Sequence, residues 1–237
     1  MISDPWHVGI LIPARNEEKL LPRCLESVFA SLSMLPPCVT TDVIVAVDLS
    51  TDLTFQIAKE MTRGRGLAIS IESGVVGKAR AVAAETAMQR YRGPWNRLWL
   101  ANTDADCVVP DTWVIEQLLL ANKSAEAVAG TVEVDSFEEH GPEVLERFRA
   151  SYVIGSDGSH SHIHGANLGI RGDVYRNSGG WRELATAEDH DLWHRLRDLG
   201  VRRVSVDHTR VTTSGRRTGR APHGFAEALA AHNEVAA

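Results

Sequence analysis

The stretch Leu98-Trp99-Leu100-Ala101-Asn102-Thr103-Asp104-Ala105-Asp106-Cys107-Val108-Val109-Pro110 decides how the rest of the chain is read. Its first four residues are an apolar run of strand character, and the run stops at two carboxylates, Asp104 and Asp106. Pro110 and Asp111 then suit the first turn of a helix whose Val114, Ile115, Leu118 and Leu119 form an apolar stripe. Strand, acidic loop and helix in that order put acid at the carboxyl end of a strand, where open α/β sheets hold their ligand crevice. Two carboxylates one residue apart can share a hard divalent cation and leave positions for phosphate oxygens, so the expected object is a metal-bound diphosphate. A solvated acidic turn has the same spelling, and the other strand ends decide between the two.

Upstream, three more apolar runs finish in polar residues. His7 to Pro13 reads as a first strand, followed by Ala14-Arg15-Asn16-Glu17-Glu18 and a helix with Leu21, Cys24, Leu25 and Val28 on one face. Arg15 is placed to meet a phosphate or a base, and Glu17 and Glu18 suit the helix's first turn. Asp42 to Val47 gives a second strand ending in Asp48, a candidate acceptor for ribose hydroxyls or a base N–H, while Asp52 reads as structural. Gly66 to Ser70 gives a third. After it, Gly74-Val75-Val76-Gly77-Lys78-Ala79-Arg80 opens an alanine-rich helix with Lys78 and Arg80 near its start, without a Walker pattern or a dinucleotide glycine motif.

Downstream, Ala127 to Val134 reads as a strand and Pro142 to Tyr152 as a helix. Gly155 to His162 has the composition of a mobile lid or acceptor loop. His160, His162 and His164 alternate, a pattern open to a metal or to substrate contact. His164 to Arg171 reads as a short strand, in which Asn167 offers a donor and an acceptor for sugar hydroxyls. Gly179-Gly180-Trp181 supplies a bend and an indole, to lie against a sugar ring or in the core. Ala187-Glu188-Asp189-His190-Asp191 starts a helix with three acids in its first turn. Glu188 and Asp191 share a face and Asp189 points elsewhere, so one carboxylate can face a substrate while its neighbours orient protein groups. Val201 to Val206 is the last strand, followed by His208 and by a basic run holding Arg216, Arg217 and Arg220.

At 237 residues, 43% of them hydrophobic, the chain suits one α/β domain, set here at 1–225 with a flexible C-terminal tail at 226–237. A formal charge of −6 with no basic block argues against a nucleic-acid surface. No stretch has the form of a signal peptide or a membrane span. Cys24, Cys38 and Cys107 are odd in number and widely spaced, which points to thiols in a reducing compartment; Cys107, beside Asp106, is a soft-ligand candidate but reads better as a buried thiol. The expected location is cytoplasmic, with a place at the periphery of a membrane left open, as is a homodimer.

Taken in order, these motifs resemble the family 2 glycosyltransferases of GT-A fold, over roughly residues 7 to 225. Ile12-Pro13-Ala14-Arg15-Asn16-Glu17 is similar to the family's opening motif, Val45 to Thr54 to its nucleoside-binding strand end, and Thr103-Asp104-Ala105-Asp106 to its DxD metal motif. Gly165-Ala166-Asn167, Gly179-Gly180-Trp181 and Glu188-Asp189 resemble its acceptor region and base-carrying acidic motif. The resemblance implies a Rossmann-like, mostly parallel sheet with helices on both faces and a small acceptor-side subregion, its nucleotide half at about 1–108 and its acceptor half at about 109–225. It implies transfer, with inversion, from a nucleoside diphosphate sugar to a hydroxyl on a small molecule, glycan or glycolipid, with Mn²⁺ or Mg²⁺ as cofactor.

On that resemblance Asp106 is the principal metal contact, His208 completes the metal shell, Asp104 holds the donor, and Asp189 is the base. Pro13, Arg15, Glu17, Asp48, Lys78, Arg80 and Arg216 fall on the donor side, and Asn167, Gly180, Trp181 and Glu188 on the acceptor side. Val47 stands before a single Asp48 where many relatives have paired aspartates, which leaves UDP- and GDP-sugars both open. The Gln-x-x-Arg-Trp motif of processive members is absent, so a single transfer is expected. The rivals are a noncatalytic nucleotide-sugar binding protein, a retaining transferase, and a sugar-phosphate nucleotidyltransferase, whose glycine-rich basic loop is missing from Pro13 to Glu18.

Overall fold

The apolar run at 98–102 is the strand β4 (Leu98–Asn102), and all five of its residues are buried. The computed structural model describes residues 2, 4–220 and 224–233. On one side of β4 lie three parallel strands, β1 (His7–Ala14), β2 (Thr40–Asp48) and β3 (Gly66–Ile71). On the other side β6 (Leu168–Arg171) runs antiparallel to both β4 and β5 (Ala127–Val134), and β7 (Arg203–Thr213) closes the row parallel to β5. The sheet order is β3-β2-β1-β4-β6-β5-β7. Both antiparallel pairings belong to β6, so the carboxyl ends of β1, β2 and β4 open on one edge and carry the acidic loops there.

Alternation along β1 divides the core into two layers, as a strand's two-residue period requires. Ile10 and Ile12 face a layer with Leu21, Cys24, Leu25 and Val28 of α1 (Leu21–Ser33) and Trp113, Val114 and Leu118 of α4 (Trp113–Asn122). Leu11 faces the other, with the alanines of α3 (Val76–Arg90) and Leu192 and Leu196 of α7 (Glu188–Asp198). Helix α3 lies close to the sheet because its contact face is alanine and Gly9 opposes it; a Cβ on Gly9 would sit 3.1 Å from Ala87 Cβ. The remaining helices are α2 (Thr54–Met61), α5 (Val144–Ser151), α6 (Gly172–Asn177) and α8 (Phe225–Ala231).

Several boundaries move. Helix α1 starts at Leu21 with no acid in its first turn, because Glu17 and Glu18 form the preceding turn, where the Glu17 carbonyl accepts from Leu20 and Leu21. Strand β7 runs on to Thr213 through the mostly polar stretch from His208 to Thr212, since β5 pairs with it on both sides of a register break between Gly130 and Val132. Residues 226–233 are not a loose tail: α8 buries Ala226 and Leu229, and Asn233 Oδ1 accepts from Gly141 N. Residues 234–237 of that expected tail lie outside the described residues. Gly155 to His162 closes on itself through Gly155 N to Ser159 O and is tied to β7 through His160 N to Ser205 Oγ. Among the described residues no helix is long and apolar enough to cross a membrane.

Candidate active site

The loops after β1 and β2 are fastened to each other before they meet anything else. Asn16 takes a left-handed backbone, φ 53°, which an asparagine tolerates; its N–H donates to Ser50 Oγ and its Oδ1 accepts from Thr51 N. Glu17 N donates to Thr54 Oγ1 and Glu18 N to Asp52 Oδ2, while Asp52 also accepts from Thr54 N, the structural role read from sequence. The acidic loop after β4 is held from α1, by Arg23 Nη2 on the Asp106 carbonyl and Cys24 Sγ on the Asp104 carbonyl.

These loops border a first cavity whose lining includes Pro13, Arg15, Glu17, Asp48, Asp104 and Asp106, with Arg216 across from them. Arg216 bridges two buried acids, with Nη1 2.7 Å from Glu17 Oε1 and Nη2 2.9 Å from Asp106 Oδ2. Burial pushes the Glu17 carboxyl up to about 7 despite Arg216. Burial raises Asp106 as well, against the pull of Arg216. Among the described residues Arg15 makes no ion pair, so its guanidinium lines the cavity unspent.

A second cavity is lined by Glu188, Asp189, His164 and Gly165, and it shares Asp104, Val76, Ala185, Thr213 and Phe225 with the first. Its rigid post is Arg80, 2% exposed, which donates through Nε to Glu188 Oε1 at 3.1 Å, through Nη2 to Asp104 Oδ1 at 2.7 Å, and through Nη1 to the Gly165 carbonyl at 3.1 Å. A Cβ at 165 would lie 2.5 Å from Arg80 Nη2, so any larger residue there must displace the guanidinium. Burial works against the Arg80 charge, yet Asp104 and Glu188 outweigh it and raise its pKa. Burial also raises Glu188. Ala187 enters α7 with φ 57°, and inside the helix the turn of roughly 100° per residue sends the adjacent acids apart: Glu188 goes to Arg80, while Asp189 Oδ2 accepts from Gly165 N at 2.8 Å on the cavity wall. Asp191 is spent on Arg182 and Arg195, at 2.9 and 2.7 Å, away from both cavities.

Other sites read from sequence fall elsewhere. Asn167 is 1% exposed and its amide is wired inside the protein: Oδ1 accepts from Trp113 Nε1, and Nδ2 donates to the carbonyls of Thr131 and Thr209. It braces β5 against β7 and lines neither cavity. His208 is exposed, 3.8 Å from Glu116 on α4, and the structure does not bring it to the acid pair. Lys78 pairs with Glu183 on the surface. Trp181 is buried beneath Arg80, whose guanidinium carbon lies 5.3 Å from its ring, and with Gly180 it borders a separate recess. The alternating histidines make a ring stack, His162 on Tyr152 at 4.1 Å and His164 bonded to Tyr152 Oη. Thr213, Ser214 and Phe225 line the first cavity without having been singled out from sequence. Thr213 ends a strand as the acids do, but nothing local marks Phe225.

The donor atoms of Asp104, Asp106 and Cys107 lie within 4.8 Å of one another. Burial, with Asp106 beside it, pushes the Cys107 thiol well up and keeps it neutral. The usable set is therefore two carboxylates, hard oxygen donors of the kind Mg²⁺ or Mn²⁺ takes.

A mixed sheet whose parallel strands end in acids beside a cavity is a frame suited to an anionic or metal-bound ligand, and the comparisons with known proteins make the class specific. Residues 9–185, more than half of the chain, match the model of Glycosyl transferase family 2, and the chain belongs to that family. The probable glycosyltransferase YdaM of Bacillus subtilis is 26% identical over 208 residues, covering 81% of this chain and 47% of that protein. The chain thus spans about half the length of the curated relative it matches. Among solved structures, S. aureus TarS 1-349 in complex with UDP superposes with a TM-score of 0.63 at 17% identity, over 89% of this chain and 61% of that one. The mannosyltransferase PcManGT from Pyrobaculum calidifontis, in complex with GDP-Man and Mn²⁺, also gives 0.63 at 17% identity, over 98% and 70%. The fold is the GT-A arrangement, a mixed sheet between flanking helices.

Proposed function

We propose that the chain transfers a sugar, with inversion and one residue at a time, from a UDP- or GDP-sugar to an acceptor hydroxyl. The observation that carries this is the meeting of the two cavities at Asp104, with Asp106 on the first alone and Asp189 on the second alone. The first cavity, with Arg15 and the acid pair, would take the nucleoside diphosphate, and the second the acceptor. Asp104 and Asp106 would hold a divalent ion, which supplies neutralising charge to the diphosphate leaving group. Arg15 adds positive charge on the same side, while Arg216 is held between Glu17 and Asp106.

Asp189, steadied by Gly165 N–H, takes the proton from the acceptor hydroxyl as that oxygen attacks the anomeric carbon from the face opposite the diphosphate. One displacement inverts the centre. Glu188 is committed to Arg80 and leaves Asp189 as the free carboxylate of the pair. On this reading residues 1–108 serve mainly the donor and the rest mainly the acceptor, with Thr213 and Phe225 lining both cavities and Ser214 and Arg216 the first.

The test is donor hydrolysis across UDP-, GDP- and dTDP-sugars with Mn²⁺ or Mg²⁺, alongside calorimetry of UDP and GDP with and without the metal. Metal-dependent binding that Asp106→Ala abolishes, with turnover of one donor class, is the expected result. Equal affinity after chelation and in Asp106→Ala would remove the metal from the proposal.

A further inference from the structure

Leu49 holds a backbone conformation that leucine rarely takes, φ 48°, and directly follows Asp48, which lines the first cavity. It is also one of the large apolar side chains left in solvent, 43% exposed. Strain at a bulky residue persists where the surroundings impose it, and it gathers at sites that bind. The surroundings here are plain. Leu49 N donates to the Ile71 carbonyl at 3.1 Å, carrying the β2–β3 pairing one residue beyond Asp48, while Asn16 holds Ser50 and Thr51 from the other side. The turn is clamped on both flanks, and the leucine side chain is delivered beside Gly74, a cavity-lining residue; a Cβ there would lie 3.4 Å from Leu49 Cδ1.

Asp48 itself is largely spent. Its Oδ1 accepts from Ser73 N at 2.8 Å and Gly74 N at 3.0 Å, and its Oδ2 from Ser73 Oγ at 3.3 Å. The acid expected from sequence to read ribose or base is holding the β3–α3 turn in place. We infer that Leu49 meets the nucleobase of the bound nucleotide through an apolar face contact, so that the base is held by shape at this edge more than by hydrogen bonds from Asp48. This rests on the first cavity being the nucleoside diphosphate site.

The inference is tested by calorimetry of UDP, GDP and inorganic pyrophosphate, each with Mg²⁺, on the wild type and on Leu49→Gly, Leu49→Asn and Leu49→Met, with Tm recorded for all. Glycine and asparagine suit the left-handed backbone and remove the apolar face. Both should weaken at least one nucleotide roughly five- to tenfold, the range expected when the exposed part of a leucine is no longer covered on binding. Pyrophosphate affinity and Tm should hold, and Leu49→Met should stay within about twofold of wild type. Unchanged nucleotide affinity in Leu49→Gly and Leu49→Asn would overturn the contact. A parallel loss of pyrophosphate affinity and of Tm would also overturn it, by showing that Leu49 acts through the fold of the turn. Wild-type protein that binds pyrophosphate but neither nucleotide would sink both the inference and the donor-site reading, whereas wild-type binding with unaffected variants sinks the inference alone.

Discussion

Replacing Arg80 by methionine removes the group that ties the wall of the second cavity to the acidic loop after β4. The arginine side chain is 3% exposed and its Glu188 partner 8%, so water screens the pair only weakly. Taking away one member of such a pair leaves the other as an uncompensated buried charge, at a cost of roughly 3–5 kcal/mol. The contact with Asp104 adds less, because that carboxylate is 34% exposed and water takes over much of the arginine's role. Glu188 escapes part of the penalty by binding a proton, the direction in which burial already pushes it. Arg80→Met should therefore lose about 3 kcal/mol in urea denaturation near neutral pH, and lose less at low pH, where protonated Glu188 no longer needs the cation.

The double variant Arg80→Met/Glu188→Gln should recover much of that loss, since it removes both charges and keeps the side-chain volumes close. Arg80→Lys should not rescue, because a single ammonium cannot reach Glu188, Asp104 and the Gly165 carbonyl from the fork that the guanidinium provides. A loss below about 1 kcal/mol in Arg80→Met, or purely additive effects in the double variant, would refute the keystone role.

Asp189→Asn keeps an oxygen for Gly165 N–H while removing basicity, so turnover should fall by roughly 10²–10⁴ with nucleotide affinity near normal; retention of about a third of turnover where chemistry limits the rate would place the base elsewhere. His164 is lowered from 6.5 to about 4, chiefly by burial, so the folded state binds fewer protons than the unfolded chain in that window. Its contribution, at most roughly 3 kcal/mol, is complete above pH 6.5 and is lost as pH falls toward 4. Glu17 has the opposite sign: raised from 4.5 to about 7, it favours the folded state as pH falls through 7 toward 4.5. Denaturation between pH 4 and 7 should thus show a shallower acid loss in His164→Asn than in wild type and a steeper one in Glu17→Gln, and matching slopes in all three would contradict both assignments.

Strand ends were legible because the signal is local: an apolar run of four to six residues stopping at acid announces itself at Ala101–Asp106 and at Val47–Asp48 without any partner. Helix faces were legible for the same reason, and Leu21, Cys24, Leu25 and Val28 are all buried. Strand β7 was read short because its polar half is a strand only through its pairing with β5, which no local window contains.

The misplaced site residues have a common cause. Sequence shows which groups a side chain carries but not where its hydrogen bonds go. Asn167 has the right chemistry for a sugar hydroxyl, and all of it is consumed by Trp113, Thr131 and Thr209. Arg80 has the right charge for a leaving phosphate, and its donors are taken by Glu188, Asp104 and Gly165. His208 follows the acidic helix at a plausible distance along the chain, but the register break in β7 carries it toward Glu116. Asp189 differs from these because backbone N–H groups, of Gly165 and His190, hold its carboxylate in place without neutralising it. A side chain is free for chemistry when its partners orient it and leave its charge unpaired. Among the acids of the second cavity, Asp189 is the one that meets that condition, since Asp104 and Glu188 both face Arg80.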